Sequence, residues 1–115
     1  MIKFQSYKFV FIGAGNVATH LSVALYNKGC TILQVYSKTN KSAKELAEKV
    51  NARFTNNPAN IIKDADIYII ALKDGLIEKI TGNISFNNKI VVHTSGSLDV
   101  KILSKLSHDY GVFYP

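Results

Sequence analysis

The apolar run Phe9-Val10-Phe11-Ile12 leads directly into Gly13-Ala14-Gly15-Asn16-Val17-Ala18, and a helix-patterned segment follows as far as Lys28. No other junction in the chain restricts its fold as strongly. A strand that becomes a helix within a few residues needs a glycine for the bend, and a second glycine, lacking a Cβ, lets another group approach the backbone. The first turn of the helix carries unpaired amide donors and partial positive charge. A pyrophosphate suits such a place, so Gly13, Ala14, Gly15, Asn16 and Val17 are expected to contact a dinucleotide, with Ala18 letting the helix lie close to the strand. Gly-x-Gly-x-x-Ala alone is a weak signal. Its position after a strand and before a helix, with Val17, Ala18, Leu21, Ala24 and Leu25 on one apolar face, gives it weight.

The remaining chain repeats strand and helix. Lys28-Gly29 supplies a cationic last turn and a stop, and Thr31 to Tyr36 reads as a second strand. Thr39 or Asn40 then caps a helix with Ala43, Leu46, Ala47 and Val50 at helical spacing. A short third strand is expected at Ala52 to Thr55, and Asn57-Pro58 starts a brief helix through Ile62. Ile67 to Leu72 is continuously apolar, as in a strand buried on both faces. Asp74 caps a short helix that Gly82 ends. A fifth strand is expected at Lys89 to His93, a helix at Leu98 to Leu106, and the start of a sixth strand at Val112-Phe113-Tyr114. Such alternation predicts an α/β fold with a doubly wound, mostly parallel sheet of order 3-2-1-4-5-6.

The 115 residues, 47% of them hydrophobic, suffice for one core, so residues 1–115 are read as one dinucleotide-binding domain. No apolar run approaches the roughly 20 residues of a membrane helix, and the N-terminus is too short and polar for a signal peptide, so no membrane association and a cytoplasmic location are expected. Cys30, the only cysteine, excludes an intrachain disulfide or thiolate zinc site and reads as a small core residue; no metal is expected. The net charge of +6 lies wholly in residues 1–44, which hold six lysines and no acid, against eight basic and eight acidic residues afterwards. These lysines are spread over several elements without a nucleic-acid-binding pattern, so no nucleic acid is expected.

Ligands of doubly wound sheets bind beyond the carboxyl ends of the strands, which gathers the loops after Ile12, Tyr36, Leu72 and Val92 into one cleft. NAD-selective folds place an acid at the end of the second strand, roughly 20 residues past the glycines. Here that place holds Tyr36-Ser37-Lys38-Thr39, with Lys41 nearby and no acid before Glu45. Nothing repels a 2′-phosphate, and two hydroxyls and two cations are available for it. NADP(H) is therefore expected in preference to NAD(H), the alternative being a solvated loop whose hydroxyls cap the next helix. Ala71, Leu72 and Lys73 would pass along the nicotinamide half of the cofactor, while Asp74 reads as a helix cap. His93 follows the fifth strand where a substrate would meet the nicotinamide, and His93 and Ser95 are the weak catalytic candidates, a purely structural role for His93 being as well supported.

With the glycine turn, Tyr36-Ser37-Lys38-Thr39, Ala71-Leu72-Lys73-Asp74, His93-Thr94-Ser95-Gly96-Ser97 and Gly111-Val112-Phe113-Tyr114-Pro115 together, the chain resembles a bacterial family of candidate NADP oxidoreductases. Its members have a Rossmann-like N-terminal domain and an uncharacterised helical C-terminal domain. The family is akin to pyrroline-5-carboxylate reductases, the 6-phosphogluconate dehydrogenase group and deazaflavin-dependent NADP oxidoreductases. The resemblance implies the cofactor domain of an enzyme that reduces a small carbonyl or imine, with the substrate pocket and a homodimer interface supplied by a C-terminal domain beyond this chain. A non-catalytic module that senses NADP(H) or binds a partner is the alternative. An S-adenosylmethionine-dependent methyltransferase leaves Lys38 and Lys41 without a use.

Overall fold

Continuous runs of β-branched and aromatic residues make strands that need cover on both faces. The structure, a computed structural model that describes residues 7–72, 90–93 and 109–112, contains six strands among those residues, of which β1 and β4 are runs of this kind. In chain order the elements are β1 (Lys8–Ile12), α1 (Asn16–Asn27), β2 (Thr31–Tyr36), α2 (Asn40–Lys49), β3 (Arg53–Thr55), a 3-10 turn (Pro58–Asn60), β4 (Ile67–Ile70), β5 (Ile90–His93) and β6 (Asp109–Val112). The strands form one sheet in the order β3-β2-β1-β4-β5-β6, and every neighbouring pair is parallel. This is the doubly wound order that the sequence predicts. The sixth strand starts at Asp109 rather than Val112. It pairs only with β5, and an edge strand does not need the unbroken apolar run by which the inner strands are recognised.

Side chains of β1 alternate between two cores. Val10 and Ile12 pack with Tyr36, Ile61, Tyr68, Ile70 and Val91 on one face of the sheet. Phe9 and Phe11 pack on the other with Ala18 of α1, Leu46 and Ala47 of α2, and Cys30, Ile67 and Ile69. Cys30 is thus the small core residue that its apolar setting suggests, and Ala43, Leu46, Ala47 and Val50 are all buried as their spacing predicts.

Three local features differ from expectation. The buried face of α1 is turned: Ala18 and Ser22 are buried with Leu21 and Leu25 beside them, while Val17 and Ala24 are exposed. Ser22 tolerates burial because it is small and its hydroxyl donates to the Thr19 carbonyl at 3.3 Å. Lys28 is the C-cap rather than part of the last turn, and Gly29, at φ 93°, ends the helix as its N–H returns to the Tyr26 carbonyl.

The third difference is the connection between β3 and β4, which forms one 3-10 turn rather than a helix through Ile62. It begins as the sequence suggests: Asn57 Oδ1 accepts the Ala59 N–H at 3.0 Å, and Pro58 follows. Buried side chains from the sheet then take the groups that a longer helix would use. Gln34 donates to the Asn60 carbonyl at 3.0 Å and accepts the Ile62 N–H at 2.8 Å. Tyr68 donates to the Ile62 carbonyl and accepts the Ala65 N–H. Burial holds the Tyr68 phenol pKa above its ordinary value, further raised by Asp64 and Asp66 and offset by the Ala65 N–H. The expected helices at residues 74–82 and 98–106, with Asp74 and Gly82, lie outside the described residues, as do Phe113 and Tyr114.

Candidate functional site at the carboxyl ends of the strands

In the sheet register, Ile12 stands beside Tyr36 and Ile70, Tyr36 beside Thr55, Ile70 beside His93, and His93 beside Val112. These six strand ends form one row, beyond which the loops emerge. Main-chain bonds continue past the row on three strands. Gly13 N–H donates to the Tyr36 carbonyl at 2.7 Å, Ser37 N–H to Thr55 at 3.1 Å, and Ala71 N–H to Ile12 at 2.8 Å.

The glycines of the turn do different things. Gly13 is buried at φ +120°, a conformation that L side chains rarely adopt. A Cβ there would also fall 2.3 Å from the Ala71 carbonyl oxygen, so this position brings the loop after β4 against the turn after β1. Gly15 is exposed, has an ordinary extended backbone, and a Cβ built on it meets nothing within 4 Å. The space before it is open to a ligand. As the N-cap of α1, Gly15 offers no side-chain acceptor, and the first bond of the helix is Thr19 N–H to the Gly15 carbonyl. Helix geometry leaves the amides of Asn16, Val17 and Ala18 without intrahelical partners, and the first turn carries no acid. Open space faced by amide donors and partial positive charge fits a pyrophosphate. Asn16 and Val17 are exposed there, Ala14 is half-buried, and Ala18 is almost fully buried against the sheet.

The exit of β2 is divided between core and surface. Tyr36 puts its ring into the core, where burial raises the phenol pKa, and reaches the turn through its main-chain carbonyl. Ser37 is half-buried, while Lys38, Thr39 and Lys41 are exposed. Thr39 is the cap of α2: its Oγ1 accepts the Ser42 N–H at 3.3 Å. It holds the capping role that the sequence left open between Thr39 and Asn40. On the other side of β1, Ala71 and Leu72 are half-buried. His93 is placed by its backbone at the end of β5. Lys73 and Ser95 lie outside the described residues.

Sequence reasoning did not single out Thr55. Its hydroxyl accepts the Asn57 N–H at 3.1 Å, and its carbonyl anchors Ser37, so it sets both the exit of β3 and the start of the loop after β2. A threonine two residues before Asn-Pro is the only trace of this in the sequence. Among the described residues no helix is long and apolar enough to cross a membrane, and no group of three or more His, Cys, Asp or Glu is placed to hold a metal ion.

Residues 8–96 match the family described as NADP oxidoreductase, coenzyme F420-dependent. The fold is similar to that of a candidate NADP oxidoreductase from Bacteroides fragilis, with a TM-score of 0.90 and 41% identity over 98% of this chain and 45% of that one. It is also similar to a pyrroline-5-carboxylate reductase from Coxiella burnetii (TM-score 0.74, 20% identity, 87% of this chain and 40% of that chain). A prephenate dehydrogenase from A. aeolicus, solved with NAD+ and hydroxyphenyl propionate, matches at a TM-score of 0.75 and 14% identity over 91% of this chain and 40% of that chain. The latter two likenesses concern the fold. The chain spans less than half the length of each of these solved proteins. No curated protein sequence matches it.

Proposed function

Because the chain belongs to the NADP oxidoreductase, coenzyme F420-dependent, family, we propose that it is the NADP(H)-binding domain of a cytoplasmic oxidoreductase that reduces a small carbonyl or imine. Family membership implies a nicotinamide dinucleotide, and the residues at the strand ends divide its parts among them. The amides of Asn16, Val17 and Ala18 hold the pyrophosphate over Gly15. Gly13 and Ala14 shape the turn, and Ala71, Leu72 and Lys73 run along the nicotinamide half. The bound nicotinamide supplies a hydride. His93, whose backbone ends β5 beside β4, and Ser95 are the groups proposed to face the substrate.

The observation that carries the preference for NADP(H) is the exit of β2. Ser37, Lys38, Thr39 and Lys41 follow Tyr36 with no acid among them, and Lys38 and Lys41 are exposed. A 2′-phosphate there is met by cations and a hydroxyl rather than by a carboxylate. The remaining wall of the substrate pocket and a homodimer interface are assigned to a further domain of a longer protein, as the length of the solved neighbours suggests. Calorimetric titration with NADPH and NADH tests the reading. Tighter binding of NADPH is expected, and equal affinities would remove the assignment of the β2 exit.

A further inference from the structure

The sequence predicts one apolar face for α1, and the structure gives the helix a second. Ala18 and Ser22 are buried with Leu25 beside them, yet none of the twelve residues is Lys, Arg, Asp or Glu, and Val17 and Ala24 are exposed. A helix lying on a sheet normally turns charge towards solvent. α2 does so with Lys41, Lys44, Glu45, Glu48 and Lys49, all of them exposed.

The apolar residues that α1 leaves uncovered share a flank. Val17, Leu21 and Ala24 are spaced to make one stripe, in which Leu21 is half-buried. Tyr26 is on the opposite flank, where it lines a cavity together with Val50 and Asn51 at the end of α2. The stripe therefore faces away from α2, and in the sheet order that is the side of β4 and β5.

On that side the sheet itself is bare. Ile67 and Ile69 of β4 pack on the α1 face and are 5% and 6% exposed. The register sets Ile90 and Val92 of β5 beside them on the same face, where Ile90 is 41% exposed and Val92 half-buried. Val91, turned to the other face, is fully buried. Among the described residues, cover on the α1 face thus ends between β4 and β5, although a parallel sheet needs cover on both faces. In a sheet wound both ways from its middle, right-handed crossovers place the helices of the two halves on opposite faces, so this part of the α1 face is covered from outside the winding. Stripe and shelf adjoin in one uncharged apolar patch, the mark of a contact surface.

We propose that this patch is the docking surface for the further domain of the same polypeptide, which lays an apolar segment over Ile90 and Val92 and against Val17, Leu21 and Ala24. The occupant follows from length and chemistry together. This chain spans less than half of the B. fragilis protein, which leaves the larger part of a protein of that size to rest on it. A patch without charge suits a permanent contact, since permanent interfaces resemble a divided core. The proposal rests on the reading of this chain as one domain of a longer protein, and it is independent of the choice between NADPH and NADH.

Ala24→Cys and Ile90→Cys, with His20→Cys on the outward side of α1 as the reference, are made in this chain and in the longer protein, and thiol labelling is followed at each site by mass spectrometry. All three sites react rapidly in this chain. In the longer protein the cysteines at 24 and 90 are expected to react slower by about tenfold or more, because labelling waits for the domains to separate, while the one at 20 keeps its rate. Equal rates at all three sites in the longer protein overturn the proposal. Protection in this chain that grows with its concentration also overturns it and assigns the patch to a second copy. Ala24→Cys changes a small exposed residue and carries the test by itself if thermal melting shows Ile90→Cys to be unfolded. Titration of the parent with NADPH and NADH keeps the two readings apart: equal affinities remove the 2′-phosphate assignment, and protection at position 24 then still upholds the docking surface.

Discussion

Gly13 lies directly against the main chain of Ala71: a Cβ on Gly13 would stand 2.3 Å from the Ala71 carbonyl oxygen and 2.8 Å from its carbonyl carbon. Neither atom belongs to a flexible side chain, so a substituent at Gly13 displaces the loop after β4 or the turn itself. The two glycines of the turn are therefore separable by experiment.

Gly13→Ala should destabilise the protein by about 3 kcal/mol, combining the left-handed backbone with the overlap at Ala71. Gly15→Val should leave a folded protein, since its backbone is ordinary and its Cβ has open space, yet abolish dinucleotide binding by filling the place of the pyrophosphate. Chemical denaturation and cofactor titration of both variants check the pair. Normal NADPH binding by Gly15→Val would remove the phosphate assignment.

Lys38→Ala should weaken NADPH by about tenfold and leave NADH nearly unchanged. A charge-assisted hydrogen bond contributes about 1.5 to 3 kcal/mol, and exposure of Lys38 places the effect at the low end. Raising the salt concentration should narrow the difference between the cofactors in the parent and have little effect on the variant. Parallel losses for both cofactors would point to a contact with the shared pyrophosphate instead.

Gln34→Leu should cost about 1 to 3 kcal/mol, because it removes the acceptor of the Ile62 N–H and the donor to the Asn60 carbonyl while keeping the apolar volume. The effect should appear as faster amide exchange at Ile62 before global unfolding. Equal exchange at Ile62 in parent and variant would show that the β3 to β4 connection is held some other way.

Cys30 should resist thiol reagents in the native protein and react on unfolding. It is buried, and burial raises its pKa above the ordinary thiol value even though Lys28 opposes the shift. The raised pKa makes its stabilising contribution complete below the unfolded-state pKa and lost as pH rises through the folded-state value. Labelling at a series of denaturant concentrations should follow the unfolding transition, and rapid labelling without denaturant would contradict the buried setting.

The sheet order was legible because the inner strands are rich in β-branched and aromatic residues and alternate with helix patterns, and the glycine turn marks the first strand–helix junction. Thr39, Asn57 and Pro58 were legible for a similar reason, as local chemistry determines capping. The buried face of α1 was not, because Val17 and Ser22 differ in hydrophobicity in the opposite sense to their burial; the geometry of the turn, not the residue types, sets the rotation of the helix. Gln34 and Tyr68 were illegible as pins of the β3 to β4 connection. Their partners are main-chain groups up to 28 residues away, and side-chain periodicity carries no information about those. At the exit of β2, the sequence left the cap of α2 open between Thr39 and Asn40, because both residue types serve as caps and only the backbone shows that Thr39 holds the place.

Among the described residues, the bonds that join neighbouring strands beyond the row of strand ends are main-chain: Gly13 to Tyr36, Ser37 to Thr55, and Ala71 to Ile12. Scaffold and recognition are thereby written in different parts of the same residues. Position 37 needs an N–H, which every residue but proline supplies, and asks nothing of its side chain. Provided the capping hydroxyl of Thr39 is kept, the loop from Ser37 to Lys41 is then a replaceable cassette, and transplanting one with an acid at its head should redirect the domain toward NAD(H) without renegotiating the sheet beneath it.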